Sequence, residues 1–166
     1  AIIDKDTKND GVNNFLENIS MVESSGGKNT DHKEMKRGIH SGDSAIGKYG
    51  LMPNTIKEMA GRMGKDNPLS SYSKMDSNSI SESIKKNPDH EHKIATFMAN
   101  HLKDKFGGDE NKMAYSWNQG HNLQDKHFQT NNKDYANHDY VQKFNKYKKT
   151  PQNQEKVPPL NNLASN

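Results

Sequence analysis

The chain of 166 residues and 18.8 kDa suits one ordinary domain and is too short for two well-packed ones. Apolar residues make up only 29%, against roughly 45–50% in an average globular protein, so part of the chain is not expected to pack. The 24 basic and 21 acidic residues are interspersed and leave a net charge of +3, too mild to indicate nucleic acid, and the lack of cysteine excludes disulfides and thiolate chemistry. No stretch approaches the ~20 apolar residues of a membrane span, and the N-terminus lacks the basic-then-apolar pattern of a secretory signal, so the chain is expected to be soluble. Opening on Ala1 is consistent with removal of a start methionine or of a longer precursor.

Val12, Phe15, Leu16, Ile19 and Val22 recur at helical spacing and predict an amphipathic helix ending near Gly26-Gly27. Residues 28–49 are polar and glycine-containing, anchored only by Met35, Ile39, Ala45, Ile46 and Tyr49. So long a connection is uncommon in a compact domain unless it is functional, and any β-structure is expected as a small hairpin within it. Pro53 suits a first helical turn, Ile56, Met59, Ala60 and Met63 supply one face, and Gly64 fits a left-handed cap. Ser77 or Ser79 is placed to cap a short helix carrying Ile80 and Ile84. Pro88 opens a longer helix with Ile94, Ala95, Phe97, Met98, Leu102 and Phe106, ended by Gly107-Gly108. Asp109 caps a helix bearing Met113, Ala114 and Trp117 that stops by Gly120; residues 121–137 read as an exposed loop, and a last helix carries Tyr140, Val141, Phe144 and Tyr147. Pro151, Pro158 and Pro159 among Asn and Gln predict a flexible tail. The expectation is a mostly α single domain over residues 1–149 with a tail over 150–166.

The first helix is apolar on one face until Glu23, which is followed at once by Ser24-Ser25-Gly26-Gly27. A carboxyl presented where the chain turns can sit at the floor of a cleft. Apolar walls and the negative end of the helix dipole both disfavour its ionisation and raise its pKa towards the range of a general acid. Three stretches follow in order: Gly47-Lys48-Tyr49-Gly50-Leu51-Met52-Pro53-Asn54-Thr55, Ala114-Tyr115-Ser116-Trp117-Asn118-Gln119-Gly120 and Tyr140-Val141-Gln142-Lys143-Phe144. With Glu23-Ser24 this set resembles the soluble lytic transglycosylases and goose-type lysozymes, whose motifs are Glu-Ser, Gly-Leu-Met-Gln-x-Met-Pro-x-Thr, Ala-Tyr-Asn-x-Gly and a late Tyr-Val. The resemblance spans residues 12 to about 147. With its long loop after Glu-Ser, the chain is most similar to members encoded by bacteriophages.

The resemblance implies a lysozyme-like fold and cleavage of the β-1,4 bond between N-acetylmuramic acid and N-acetylglucosamine in peptidoglycan. Glu23 is then the catalytic acid, supported by Ser24. Tyr49, Gly50, Leu51, Met52, Trp117, Asn118 and Tyr140 fall on or beside positions that contact glycan or the acid. Two departures stand out. Gly50 replaces the family's glutamine, removing a polar contact while letting a sugar come closer, and Trp117 replaces a tyrosine. Tyr49, Met52 and Trp117, each taken alone, read as core residues rather than as sugar contacts. A transglycosylase needs one Glu, because the muramic acid's own C6 hydroxyl attacks; a hydrolase needs a second carboxylate, for which Asp43, Asp31 and Glu34 in the 28–49 loop are the candidates. A non-catalytic glycan-binding virion protein is the rival from another class. The bacteriophage likeness also implies virion partners and delivery to the bacterial cell wall or periplasm.

No cofactor is implied. His90-Glu91-His92 does not read as a metal site, since residues two apart on a helix do not share a face and no His-Glu-x-x-His pattern is present. The lysines between Lys143 and Lys149 read as a solvated basic face, not as a nucleic-acid surface.

Overall fold

Apolar spacing at three and four residues sets the elements. The computed structural model describes residues 5–33, 42–130 and 135–149. Seven α-helices form there: α1 (Lys5–Ser24), α2 (Pro53–Arg62), α3 (Ser77–Lys86), α4 (Pro88–Phe106), α5 (Glu110–Gln119), α6 (Asp125–Thr130) and α7 (Asp139–Lys149), with 3-10 helices at Pro68–Lys74 and Tyr135–Asn137. The chain is mostly α as expected. No helix among the described residues is long and apolar enough to cross a membrane.

Helix α4 is the central post, burying Glu91, Ile94, Ala95, Met98, Ala99, Leu102 and Phe106 along one stripe. On one side α1, α5 and α7 close around it, with the Phe15 ring 5.8 Å from Trp117 and 5.3 Å from Phe144. On the other, α2 packs on the 3-10 helix Pro68–Lys74, on α3 and on α4. Fully burying each large apolar side chain contributes roughly 1.5–3 kcal/mol, so this core carries most of the fold. The C-terminal end of α1 opens between the two groups.

Several expectations are corrected. Asp76, not Ser77 or Ser79, caps α3, accepting the Ser79 N–H at 2.8 Å; a carboxylate is the stronger acceptor and stands one residue before the helix. Residues 121–137 are not an exposed loop throughout. Phe128 of α6 packs edge-on against Phe106 at 5.3 Å and Tyr115 at 5.6 Å, Tyr135 meets Phe128 at 5.1 Å, and His121 is buried. Two aromatics in a polar run carried enough area to dock it. The 3-10 helix at Pro68–Lys74 had no apolar period to announce it, only Asn67 accepting from the Leu69 N–H at 3.0 Å. No strand forms among the described residues; a single antiparallel bridge pairs Ile46 with Leu51. Residues 34–41 of the expected hairpin, with Glu34, Met35 and Ile39, lie outside the described residues, as does the 150–166 tail.

Candidate active site

Helix α1 ends abruptly after Glu23. Ser25, Gly26 and Gly27 all take positive φ (53°, 74° and 91°), and the Gly26 N–H reaches back to the Ser20 carbonyl at 3.0 Å. This reversal leaves the Glu23 side chain facing a cavity of about 270 Å³ lined also by Gly50, Met52, Thr55, Met98, Trp117, Asn118, Gln119 and His121. Among the described residues, Glu23 is the sole carboxylate of that lining. Burial raises its pKa above the ordinary value, against the lowering effects of the Tyr140 hydrogen bond and of nearby His32. The Tyr140 hydroxyl donates to Glu23 Oε1 at 2.8 Å. Burial, then the charge of Glu23 and this hydrogen bond, push the Tyr140 phenol well above its usual range, so it stays a donor.

The turn that follows the long loop is built against the same carboxyl. Gly50 has φ +64°, and a Cβ there would overlap Glu23 Oε2 and lie 2.6 Å from its Cδ. Only a bare backbone fits. The space that the missing glutamine side chain leaves is therefore taken by the acid itself, not left open to a sugar.

The peptide groups of residues 47–49 are bonded by side chains from four parts of the chain. His32 Nε2 lies 2.7 Å from the Gly47 carbonyl, and the Ser24 hydroxyl donates to the Lys48 carbonyl at 2.6 Å. Trp117 Nε1 donates to the Tyr49 carbonyl at 3.1 Å. Glu91 accepts the Lys48 and Tyr49 N–H groups at 3.0 and 3.1 Å.

Of the residues singled out from sequence, Glu23, Gly50, Met52, Trp117 and Asn118 share the cavity, and Tyr140 touches the acid. Ser24, Tyr49 and Leu51 are buried and do not line it; the Tyr49 hydroxyl instead meets His92 Nδ1 at 2.7 Å. Asp43 lies outside this lining and accepts from Ser77 Oγ at 3.4 Å. Asp31 is exposed on a neighbouring cavity of about 630 Å³ that shares Ala45 with the first. A further cavity of about 320 Å³ shares Thr55, Gln119, Gly120 and His121 with the Glu23 cavity, so three hollows adjoin one another in a run. A wider cavity of about 1090 Å³, lined by His90 and His92, shares none of its described residues with that run, and the one carboxylate among them, Asp66, is exposed. His90 Nδ1 is bonded to the Tyr72 hydroxyl at 2.9 Å, so the two histidines serve different tyrosines; no cluster of three metal-ligating side chains occurs among the described residues.

Two features of this neighbourhood were missed in the sequence. Glu91 stands on the same stripe as Ile94, Ala95 and Met98, and a carboxylate on a core-facing stripe is itself the signal of a buried partner. His121 holds Glu58 Oε2 at 2.6 Å on the cavity wall, a pairing across 63 residues that nothing local indicates.

A family model described as the transglycosylase SLT domain matches residues 1–140, which include every wall of the Glu23 cavity. No curated protein and no solved structure matches the chain.

Proposed function

Since the chain belongs to the transglycosylase SLT domain family, whose members are lytic transglycosylases acting on peptidoglycan, we propose that it cleaves the muramic acid to glucosamine β-1,4 bond with Glu23 alone as acid and base. One observation carries this reading: a single buried carboxylate, kept protonated to higher pH than usual, lines a cavity in which no second acid stands among the described residues. Protonated Glu23 gives its proton to the bridging oxygen as the C1–O bond breaks, and the glucosamine end leaves with that proton. The resulting carboxylate then takes the proton of the muramic acid C6 hydroxyl, whose oxygen bonds to C1 and closes a 1,6-anhydro ring. Glu23 is again protonated, and no water is consumed.

A hydrolase would instead need a base held ~6.5–9.5 Å from the acid across a water, or a nucleophile closer still. Asp43, bonded by Ser77, lies outside the lining of the Glu23 cavity, Asp31 is exposed on the neighbouring one, and Glu34 lies outside the described residues, so none of the described acids stands opposite Glu23 in its cavity. Met52, Trp117, Asn118 and Thr55 serve as glycan contacts, with Asn118 exposed to offer its amide to an acetamido or hydroxyl group. The likeness to bacteriophage members supports a virion-borne enzyme. Mass spectrometry of a peptidoglycan digest tests the reaction. Anhydromuramyl ends, lighter than hydrolysed ends by one water, are expected; reducing muramic acid ends alone, with a folded and inactive Asp43→Asn, would establish a lysozyme. No clearing of peptidoglycan by the wild type would leave the glycan-binding alternative.

A further inference from the structure

One turn separates two buried carboxylates, and each meets it at a glycine. Gly50 is bare where Glu23 presses from one side; Gly47, φ +69°, is bare where Glu91 presses from the other, since a Cβ there would lie 2.6 Å from Glu91 Cδ. Glu91 is 3% exposed and comes from α4, which contributes Met98 to the same cavity wall. We propose that Glu91 is a positioning residue for Glu23: by accepting the Lys48 and Tyr49 N–H groups it holds the 47–50 turn so that Gly50 closes over the acid and keeps water from it. The proposal rests on the reading of Glu23 as the acid.

The physical case is one of mutual need. A buried carboxylate without donors is costly, and two adjacent N–H groups directed into the interior are costly without acceptors. Each satisfies the other, and bonds to an ionised acceptor are about twice as strong as neutral ones. Ser24 and Trp117 bond the carbonyls of the same turn, and among the described residues the Lys48 and Tyr49 N–H groups are left to Glu91. Glutamine would keep one acceptor and set an NH₂ against the other N–H, so one side of the turn would come loose.

Carbon-13 NMR titration of Glu23 in the wild type and in Glu91→Gln, alongside steady-state kinetics on a soluble glycan, tests this. The groups that act on Glu23, Tyr140 on α7 and His32 on the loop, are unaltered in the variant, as is Lys48 beside Glu91. The variant is expected to fold, with Glu23 titrating at lower pH because water reaches it. Its kcat should fall ~10–100-fold with little change in KM, and the high-pH limb of kcat should move down in parallel. A purely structural role would lower the folded fraction without moving that limb. A folded Glu91→Gln in which Glu23 titrates as in the wild type overturns the proposal. Should that variant fail to fold, Gly47→Ala, which drives the carboxylate off the turn, must shift Glu23 in the same direction, and an unshifted Glu23 overturns it equally. The titration uses no substrate, so an active Glu23→Gln would remove the proposed reaction while leaving the positioning role separately decided.

Discussion

Glu23 at the end of α1 and Glu91 in the first turns of α4 are both carboxylates taken out of water, and burial raises the pKa of both. Their partners differ. Each lines a cavity, but Glu91 receives two backbone N–H groups, one on each oxygen, whereas Glu23 receives one phenolic hydroxyl, with Oε2 against the bare Gly50. The contrast teaches that burial alone does not make a general acid. In the proposed reading, the carboxylate with two N–H donors serves as a fixed part of the frame, and the one with a single hydroxyl donor serves as the acid.

The strongest way to break the comparison is Glu23→Gln, which keeps shape and hydrogen-bonding capacity but supplies no proton. Peptidoglycan clearing should fall ~10²–10⁴-fold with the fold intact. Loss of under about tenfold, ~1.4 kcal/mol of barrier, would remove Glu23 from the role. Removing packing beneath the turn's Trp117 partner comes next: Phe15→Ala, against Trp117 and Phe144, should cost ~3–5 kcal/mol in denaturant unfolding, and a near-neutral result would show that this core does not hold the fold.

Gly50→Ala sharpens the contrast from the Glu23 side. A left-handed non-glycine residue costs roughly 1–2 kcal/mol, and the added Cβ must push the acid aside, so activity should fall further than stability. Tyr140→Phe removes the donor at 2.8 Å, which favours the ionised form. Glu23 should then stay protonated to higher pH, and the high-pH limb of activity should move up, opposite to the shift expected for Glu91→Gln; a downward shift would contradict the assigned sign.

The smallest effect is on stability. A carboxyl whose pKa is raised by folding binds more protons in the native state, so its contribution is fully present below the unfolded value near 4.5 and is lost as pH rises through the folded value. Glu23→Gln should therefore melt higher than the wild type at pH 8 and converge with it near pH 4. Parallel melting curves at both pH values would mean that Glu23 is not desolvated.

Periodic apolar positions determined six of the helices, because helical repeats of Ile, Leu, Met and Phe have one economical way to leave water, and Pro53, Pro88, Gly107 and Asp109 marked helix ends by local backbone chemistry. Glu23 too stood out in sequence, by its place at the end of an apolar face before Ser24-Ser25-Gly26-Gly27. What tertiary structure alone decided were pairings over long separations: Glu91 to the Lys48 and Tyr49 amides, Trp117 to the Tyr49 carbonyl, Tyr140 to Glu23, His121 to Glu58. It also turned the polar 121–137 segment inward on Phe128 and Tyr135. Such contacts have no period. They arise where buried donors and acceptors from distant elements must satisfy one another, and the partner is set by which backbone the packed core brings within reach.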